Sequence, residues 1–276
     1  MEIRSKFPAW LNKNHPNFLR WERARNLSLD RGKFVNKIIN TITEPKNLTV
    51  LDLGSGEGGT SRIFSNKNFV ISYDLSKIRL IRQRQNYQIN QLICGDAVKL
   101  PFRDAIFDLV ILQDVFEHID NQIALVSEVK RTLKNDGMIY LSTPNRFSLL
   151  NAVSDPHWGF PIVSVLKRKT IRNIFLKYFR KSEVNRNDLA ELLSLNQIRK
   201  YFSPEFEVRI QTNKVLEELF NGNSGIVWSN FHLSLIRILK RLSLHKLLIR
   251  ISNDKFGILN KYFTPTFYLV MKRKSI

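Results

Sequence analysis

The chain has one cysteine, Cys94, in 276 residues. A single thiol excludes an internal disulfide, so packing has to hold the fold, and a reducing, cytoplasmic setting is the expectation. Cys94 lies in an apolar run, which predicts an inert thiol in a buried strand, with a nucleophile as the alternative. Long hydrophobic runs are missing too. None reaches the about 18–20 residues that cross a bilayer. Met1–Trp10 contains no apolar stretch, so no secretory leader is expected. Acidic side chains are scarce: Asp and Glu total 24 against 44 Lys and Arg, a net charge of +20. The shortage is uneven. Residues 1–145 hold 21 basic and 15 acidic groups, whereas residues 146–276 hold 23 and 9. Such a field favours anionic partners such as lipid head groups, nucleic acid or a phosphorylated substrate. The plainer alternative is solubility. No internal repeat or low-complexity tract is visible.

What is present suits one large α/β domain with a sizeable core, at 43% hydrophobic residues. The most informative stretch is Asp52-Leu53-Gly54-Ser55-Gly56-Glu57-Gly58, directly after the apolar run Leu48–Leu51. A strand that ends in such glycines lets backbone pass close to a ligand, because glycine lacks Cβ and tolerates positive φ. The helix that follows aims free N–H groups at the same place. Asp74 ends the next apolar run, Phe69–Tyr73, where a carboxylate can accept both hydroxyls of a ribose. A nucleoside-binding βαβ unit is the reading. Gly59 also completes a G-x-G-x-x-G, but Glu57 and Asp52 place carboxylates where a pyrophosphate would lie. Two acids suit a cationic ligand better.

Further motifs follow in order. They are Leu92-Ile93-Cys94-Gly95-Asp96-Ala97, Leu100-Pro101-Phe102, Phe107–Leu112, and Asp136-Gly137-Met138-Ile139-Tyr140-Leu141-Ser142-Thr143-Pro144-Asn145. With the glycine loop and Asp74 they resemble, over roughly residues 45–145, the S-adenosylmethionine-dependent methyltransferases of Rossmann-like fold. The resemblance implies a seven-stranded, mostly parallel sheet with helices on both faces and a helical cap. It implies S-adenosyl-L-methionine as cofactor, with contacts at Asp52, Gly54, Ser55, Gly56, Gly58, Asp74, Leu75, Asp96, Ala97 and Gln113. It also implies one methyltransferase domain across 1–276: N-terminal helices in 1–45 closing over the cofactor, a binding core in 46–145, a substrate cap in 146–203, and an insertion in 213–261 before the last strand. Alternating apolar runs support the core independently, with strands at Leu48–Leu53, Phe69–Asp74, Gln91–Gly95, Phe107–Leu112 and Gly137–Thr143.

Methyl transfer needs a general base only where the acceptor must lose a proton. His118 is the candidate, in Gln113-Asp114-Val115-Phe116-Glu117-His118-Ile119 after strand four. If this segment is helical, Asp114, Glu117 and His118 share a face. That pattern resembles the E-x-x-E-H of ubiquinone-biosynthesis O-methyltransferases, where the residues are linked to a metal. Asp114 is one methylene shorter than the glutamate of that pattern, and no metal is assigned here. Three readings stay open for the cluster: base, cation ligands, or a helix start with Asp114 as N-cap. The Asp155-Pro156-His157-Trp158-Gly159-Phe160-Pro161 stretch offers His157 and Trp158 as acceptor-pocket residues, or else as a proline-held loop.

The expected acceptor is a small-molecule, lipid-linked or sugar group, methylated at oxygen. The alternatives are an RNA methyltransferase and a cofactor-binding protein without activity. Against RNA, no Asn/Asp-Pro-Pro-Tyr follows strand four and no RNA-binding module is recognisable. Within the insertion, residues 233–251 read as a leucine-rich helix carrying Arg237, Lys240, Arg241 and Arg250. It either packs on the core or lies on an anionic membrane surface.

Overall fold

The computed structural model describes residues 12–15, 18–184, 189–222, 227 and 230–274. Met1–Trp10, read above for a leader, lies outside them. Seven strands form one sheet: β1 Thr49–Leu53, β2 Phe69–Asp74, β3 Leu92–Cys94, β4 Phe107–Gln113, β5 Leu133–Pro144, β6 Phe206–Ile210 and β7 Thr266–Arg273. Their order is β3-β2-β1-β4-β5-β7-β6. The first five are parallel and β7 runs antiparallel between β5 and β6.

Alternation along each central strand feeds two cores, as the period of two demands. Val50, Leu109, Ile111, Tyr140 and Val270 face α2 (Ser28–Asn40), which buries Phe34, Val35, Ile38 and Ile39 against them. Leu51, Leu53, Val110, Leu112, Ile139 and Leu141 face the other way, toward α5 (Gln122–Thr132) and α9 (Leu195–Phe202). Asn121 caps α5 through the Ala124 N–H at 3.1 Å, and a Ser194–Gln197 capping box starts α9. The strands expected from the apolar runs all form. β3 is shorter than expected, and β5 extends back to Leu133.

That short β3 corrects the reading of Cys94. The strand pairs only with β2, at the sheet's edge, and Cys94 at its end is exposed with its sulfur 3.4 Å from the Leu75 carbonyl. An apolar run gives the same signal for an edge strand as for a central one.

Residues 146–184 form a cap of short helical pieces: α6 (Leu149–Val153), α7 (Arg168–Thr170), a π-helical turn (Ile171–Leu176) and α8 (Lys177–Phe179). It has a small core of its own, with Trp158, Val163, Ile171, Phe175, Leu176 and Leu189. Trp158 is 3% exposed and sits edge-on to Phe175. It therefore supports the cap and does not line an acceptor pocket, since its ring area is spent on packing.

Among its described residues the insertion holds four helices: α10 (Thr212–Phe220), α11 (Asn230–Arg241), α12 (Leu244–Ile251) and α13 (Ile258–Tyr262). The single helix expected over 233–251 is thus two. Ser243 adopts φ 57°, a left-handed conformation that a continuing helix does not contain. Among the described residues, no helix is long and apolar enough to cross a membrane.

Candidate active site

The C-terminal ends of β1, β2, β3, β4 and β5 lie along one edge, where open α/β sheets bind their ligands. The β1 loop turns through Gly54, Gly56 and Gly58, with φ of 74°, 54° and 80°. The three glycines differ in what surrounds them. A Cβ on Gly54 would strike Val115, and one on Gly58 would meet Gln83 at 2.6 Å. A Cβ on Gly56 has open space around it, with its nearest neighbour, the Gly54 carbonyl, at 3.9 Å. Gly56 is thus the point of this loop that leaves room for close approach. Gly56→Val should fill that room and abolish cofactor binding while the protein stays folded. Normal binding by isothermal calorimetry in the variant would show that the loop does not meet the ligand.

Asp74 anchors the loop. Its Oδ2 accepts from the Gly56 N–H and its Oδ1 from the Ser76 N–H, each at 2.8 Å. Each oxygen keeps a further lone pair. The carboxylate is 5% exposed, with Arg79 Nη1 4.0 Å from Oδ2. Ser55 Oγ accepts from Gln83 Nε2 at 2.8 Å, which holds the loop to α4 (Lys77–Tyr87). Leu75 is 75% exposed, Asp96 is exposed at the end of β3, and Ala97 is buried beside it. Gln113 Oε1 accepts from Thr60 Oγ1 at 2.7 Å, at the start of α3 (Gly59–Phe64).

Two acids differ from expectation. Asp52 is 2% exposed and accepts from Ser61 Oγ at 2.5 Å. Burial pushes its carboxyl up to about 6, partly offset by that hydrogen bond. It supports the loop from beneath, through α3. Glu57 turns away from the glycines, with Oε2 accepting from Arg82 Nε at 3.1 Å in a charged depression of about 450 Å³ that also includes Glu22 and Arg25. Its carboxylate is therefore matched by an arginine, not reserved for a cationic ligand.

The segment after β4 is not an α-helix. Asp114 sits at φ 55°, and only Phe116–His118 form a 3-10 turn. Asp114 is neither an N-cap nor on a face with Glu117 and His118. It accepts from Ser142 Oγ at 3.0 Å and pairs with Arg31 of α2, tying the N-terminal helices to the sheet edge. Sequence reasoning missed Arg31; an arginine in an amphipathic helix gives no signal of its distant partner.

In place of Asp114, the structure brings His157 to the cluster. The His118 and His157 rings lie 5.2 Å apart, edge to face, and His157 Nε2 is 3.9 Å from Glu117 Oε1. His157 is held by an Asx turn: Asp155 Oδ1 accepts from the N–H groups of His157 and Trp158, both at 2.8 Å. The cap is clamped to this loop by Arg168, which donates to the Glu117 carbonyl at 3.0 Å and the Leu189 carbonyl at 2.8 Å. Glu117, His118 and His157 each offer a ligand atom, all within 4.8 Å of one another. Two imidazoles and a carboxylate suit a divalent transition ion by donor chemistry.

Glu117 is fully buried. Its Oε2 accepts from Thr143 Oγ1 at 2.9 Å, and its Oε1 has no hydrogen-bond partner. Burial pushes its carboxyl up to about 7, with His118 pulling the other way and Asp114 adding to the rise. The folded state therefore binds this proton more tightly than the unfolded chain, and stability falls as pH rises from about 4.5 through about 7. Glu117→Gln keeps the Thr143 hydrogen bond without the charge. It should stabilise the protein at pH about 8 by on the order of 1–3 kcal/mol, with the difference vanishing near pH 5. Melting temperatures across that range check this. A wild type at least as stable as the variant at the alkaline end would mean that a positive group compensates the carboxylate.

Residues 51–141 match the family described as methyltransferase domain. A "Probable S-adenosylmethionine-dependent methyltransferase" of Mycobacterium tuberculosis is 33% identical over 100 residues, 36% of each chain. A ubiquinone biosynthesis O-methyltransferase of Glaesserella parasuis is 28% identical over 109 residues, 35% of this chain and 45% of that one. In fold, the chain is similar to a SAM-dependent methyltransferase of Thermotoga maritima, with TM-score 0.52 and 15% identity over 92% of this chain and 94% of that one. The chain spans 19% to 64% of the length of curated relatives that it matches. Residues 51–141 are thus similar to the corresponding segment of S-adenosylmethionine-dependent methyltransferases.

Proposed function

We propose that the protein transfers a methyl group from S-adenosyl-L-methionine to an oxygen of a small-molecule or lipid-type acceptor, with His118 as general base. One observation carries this reading: the His118 imidazole stands beside buried Glu117 and His157 at the end of β4, on the same sheet edge as the open Gly56 and Asp74. When bound, the cofactor supplies an activated methyl group on a sulfonium. The chain's own residues bind and orient. The backbone of Gly54, Ser55, Gly56 and Gly58 leaves the space, and Asp74 offers its remaining lone pairs to the ribose hydroxyls. Leu75, Asp96 and Ala97 border the base, while Gln113 and Asp52 hold α3 against the loop. An imidazole nitrogen of His118 takes the proton of the acceptor hydroxyl and later passes it to water. Glu117 keeps the imidazolium favourable while that proton is held.

Two features support an acceptor with an apolar part. Phe147, Leu149 and Val153 are 41%, 53% and 59% exposed on the cap just after β5. The match to a ubiquinone biosynthesis O-methyltransferase is a second, weaker support. Tritium-labelled cofactor incubated with lipid, sugar and RNA fractions tests the reading. Label should enter the lipid or small-molecule fraction in base-stable, oxygen-linked form. Label in RNA alone, or none in any fraction, would overturn it.

A further inference from the structure

Helices α11 and α12 are apolar in composition, yet no described residue in either is buried. They touch the body chiefly through α10, where His245 lies 5.4 Å from Phe220 and Ser252 Oγ donates to Asn213 Oδ1 at 2.7 Å. Leucines and isoleucines therefore remain in water. On α11 Phe231 and Ile238 are 41% and 53% exposed, and Leu242, just past its end, is 60% exposed. On α12 Leu244, Leu247 and Ile251 are 42%, 54% and 49% exposed. Each stripe recurs at helical spacing, so it forms a continuous apolar strip and not scattered single residues.

Beside these strips stand Arg237, Lys240 and Arg241 on α11, and Lys246 and Arg250 on α12, all exposed. Among the described residues none of the five forms an ion pair, and no acidic residue occurs between Glu218 and Asp254. We propose that α11 and α12 dock the protein on an anionic lipid bilayer, apolar strips in the acyl boundary and cations among the head groups.

Charge and chemistry select this occupant. A second copy would bring another strongly basic C-terminal half against the first, which is repulsive. Nucleic acid answers the cations but leaves the apolar strips in water. An anionic bilayer answers both, and a short helix pair lying in its interface needs no spanning length. The break at Ser243 lets two short helices follow the surface where one straight rod would present a single stripe.

The full chain should co-sediment with vesicles of phosphatidylcholine mixed with phosphatidylglycerol, and not with phosphatidylcholine alone. Binding should weaken as salt rises. The combined variant Arg237→Gln, Lys240→Gln, Arg241→Gln and Arg250→Gln should lower partitioning on the order of 10²–10³-fold, since each basic group near such a surface contributes about 1 kcal/mol. These side chains are exposed, so thermal unfolding and cofactor affinity should stay at wild-type values. A second variant, Leu247→Ser, should lose vesicle binding while keeping the charge. Equal binding to both vesicle types would overturn the proposal. So would no binding to either, RNA binding without vesicle binding, or a concentration-dependent dimer that the same variants abolish.

Discussion

Replacing Asp74 by alanine should weaken S-adenosylmethionine binding by roughly 2–4 kcal/mol, about 30- to 1000-fold in Kd. In the structure the carboxylate holds the glycine loop through the Gly56 N–H. On the proposed reading its remaining lone pairs take the ribose hydroxyls at the end of β2. Charge-assisted hydrogen bonds to two hydroxyls are the stronger kind, and an alanine removes both along with the loop's anchor. Asp74→Asn separates the two contributions. Its amide oxygen can still accept from Gly56, so the loop should persist while affinity falls by a smaller factor. Calorimetry on wild type and both variants reads the effect, with unfolding in the absence of cofactor as the control. Unchanged affinity in Asp74→Ala would remove the nucleoside reading of this edge.

Legibility in the sequence followed contact distance. β1, β2 and β4 were readable to within a residue because each is a central apolar run closed by turn-forming residues, and burial on both faces leaves no ambiguity of period. The glycine loop was readable because a positive φ restricts residue choice. Asp114 illustrates the opposite case. Its spacing to Glu117 and His118 is helical only if the backbone is, and the backbone at Asp114 is left-handed because that residue is drawn to Ser142 and Arg31. Nothing within the local window reports those partners. His157 joins the site from the cap, through a turn that Asp155 nucleates and a clamp that Arg168 closes. Only the fold brings these together. Cys94 and Trp158 fail for a related reason: composition registers that a side chain is apolar, but not whether its strand is at the edge or its ring is spent on packing.

His118→Ala should lower turnover by about 10²–10⁴-fold with little change in cofactor affinity, the range expected for losing a general base. In the proposed reaction the acceptor hydroxyl must be deprotonated as the methyl group arrives, and His118 is a half-buried imidazole beside a fully buried carboxylate. Turnover in the wild type should fall toward low pH, as the imidazole gains the proton that it would otherwise accept. Glu117 sharpens that fall. As its raised carboxyl titrates through about 7, the negative charge that steadies the imidazolium is lost. Glu117→Gln should therefore cut kcat more than KM and make the fall toward low pH shallower. Added imidazole should restore part of the activity of His118→Ala, because the cavity left is imidazole-sized and partly solvent-facing; it should do nothing for Glu117→Gln. Rates flat between about pH 5 and 8, or near-full activity in His118→Ala, would remove this residue from the mechanism. Activity abolished by chelator and restored by one divalent ion would instead give Glu117, His118 and His157 a ligand role, with the acceptor oxygen activated at the ion. The two cases separate cleanly, because imidazole rescue needs a vacant base site and ion rescue needs all three side chains intact.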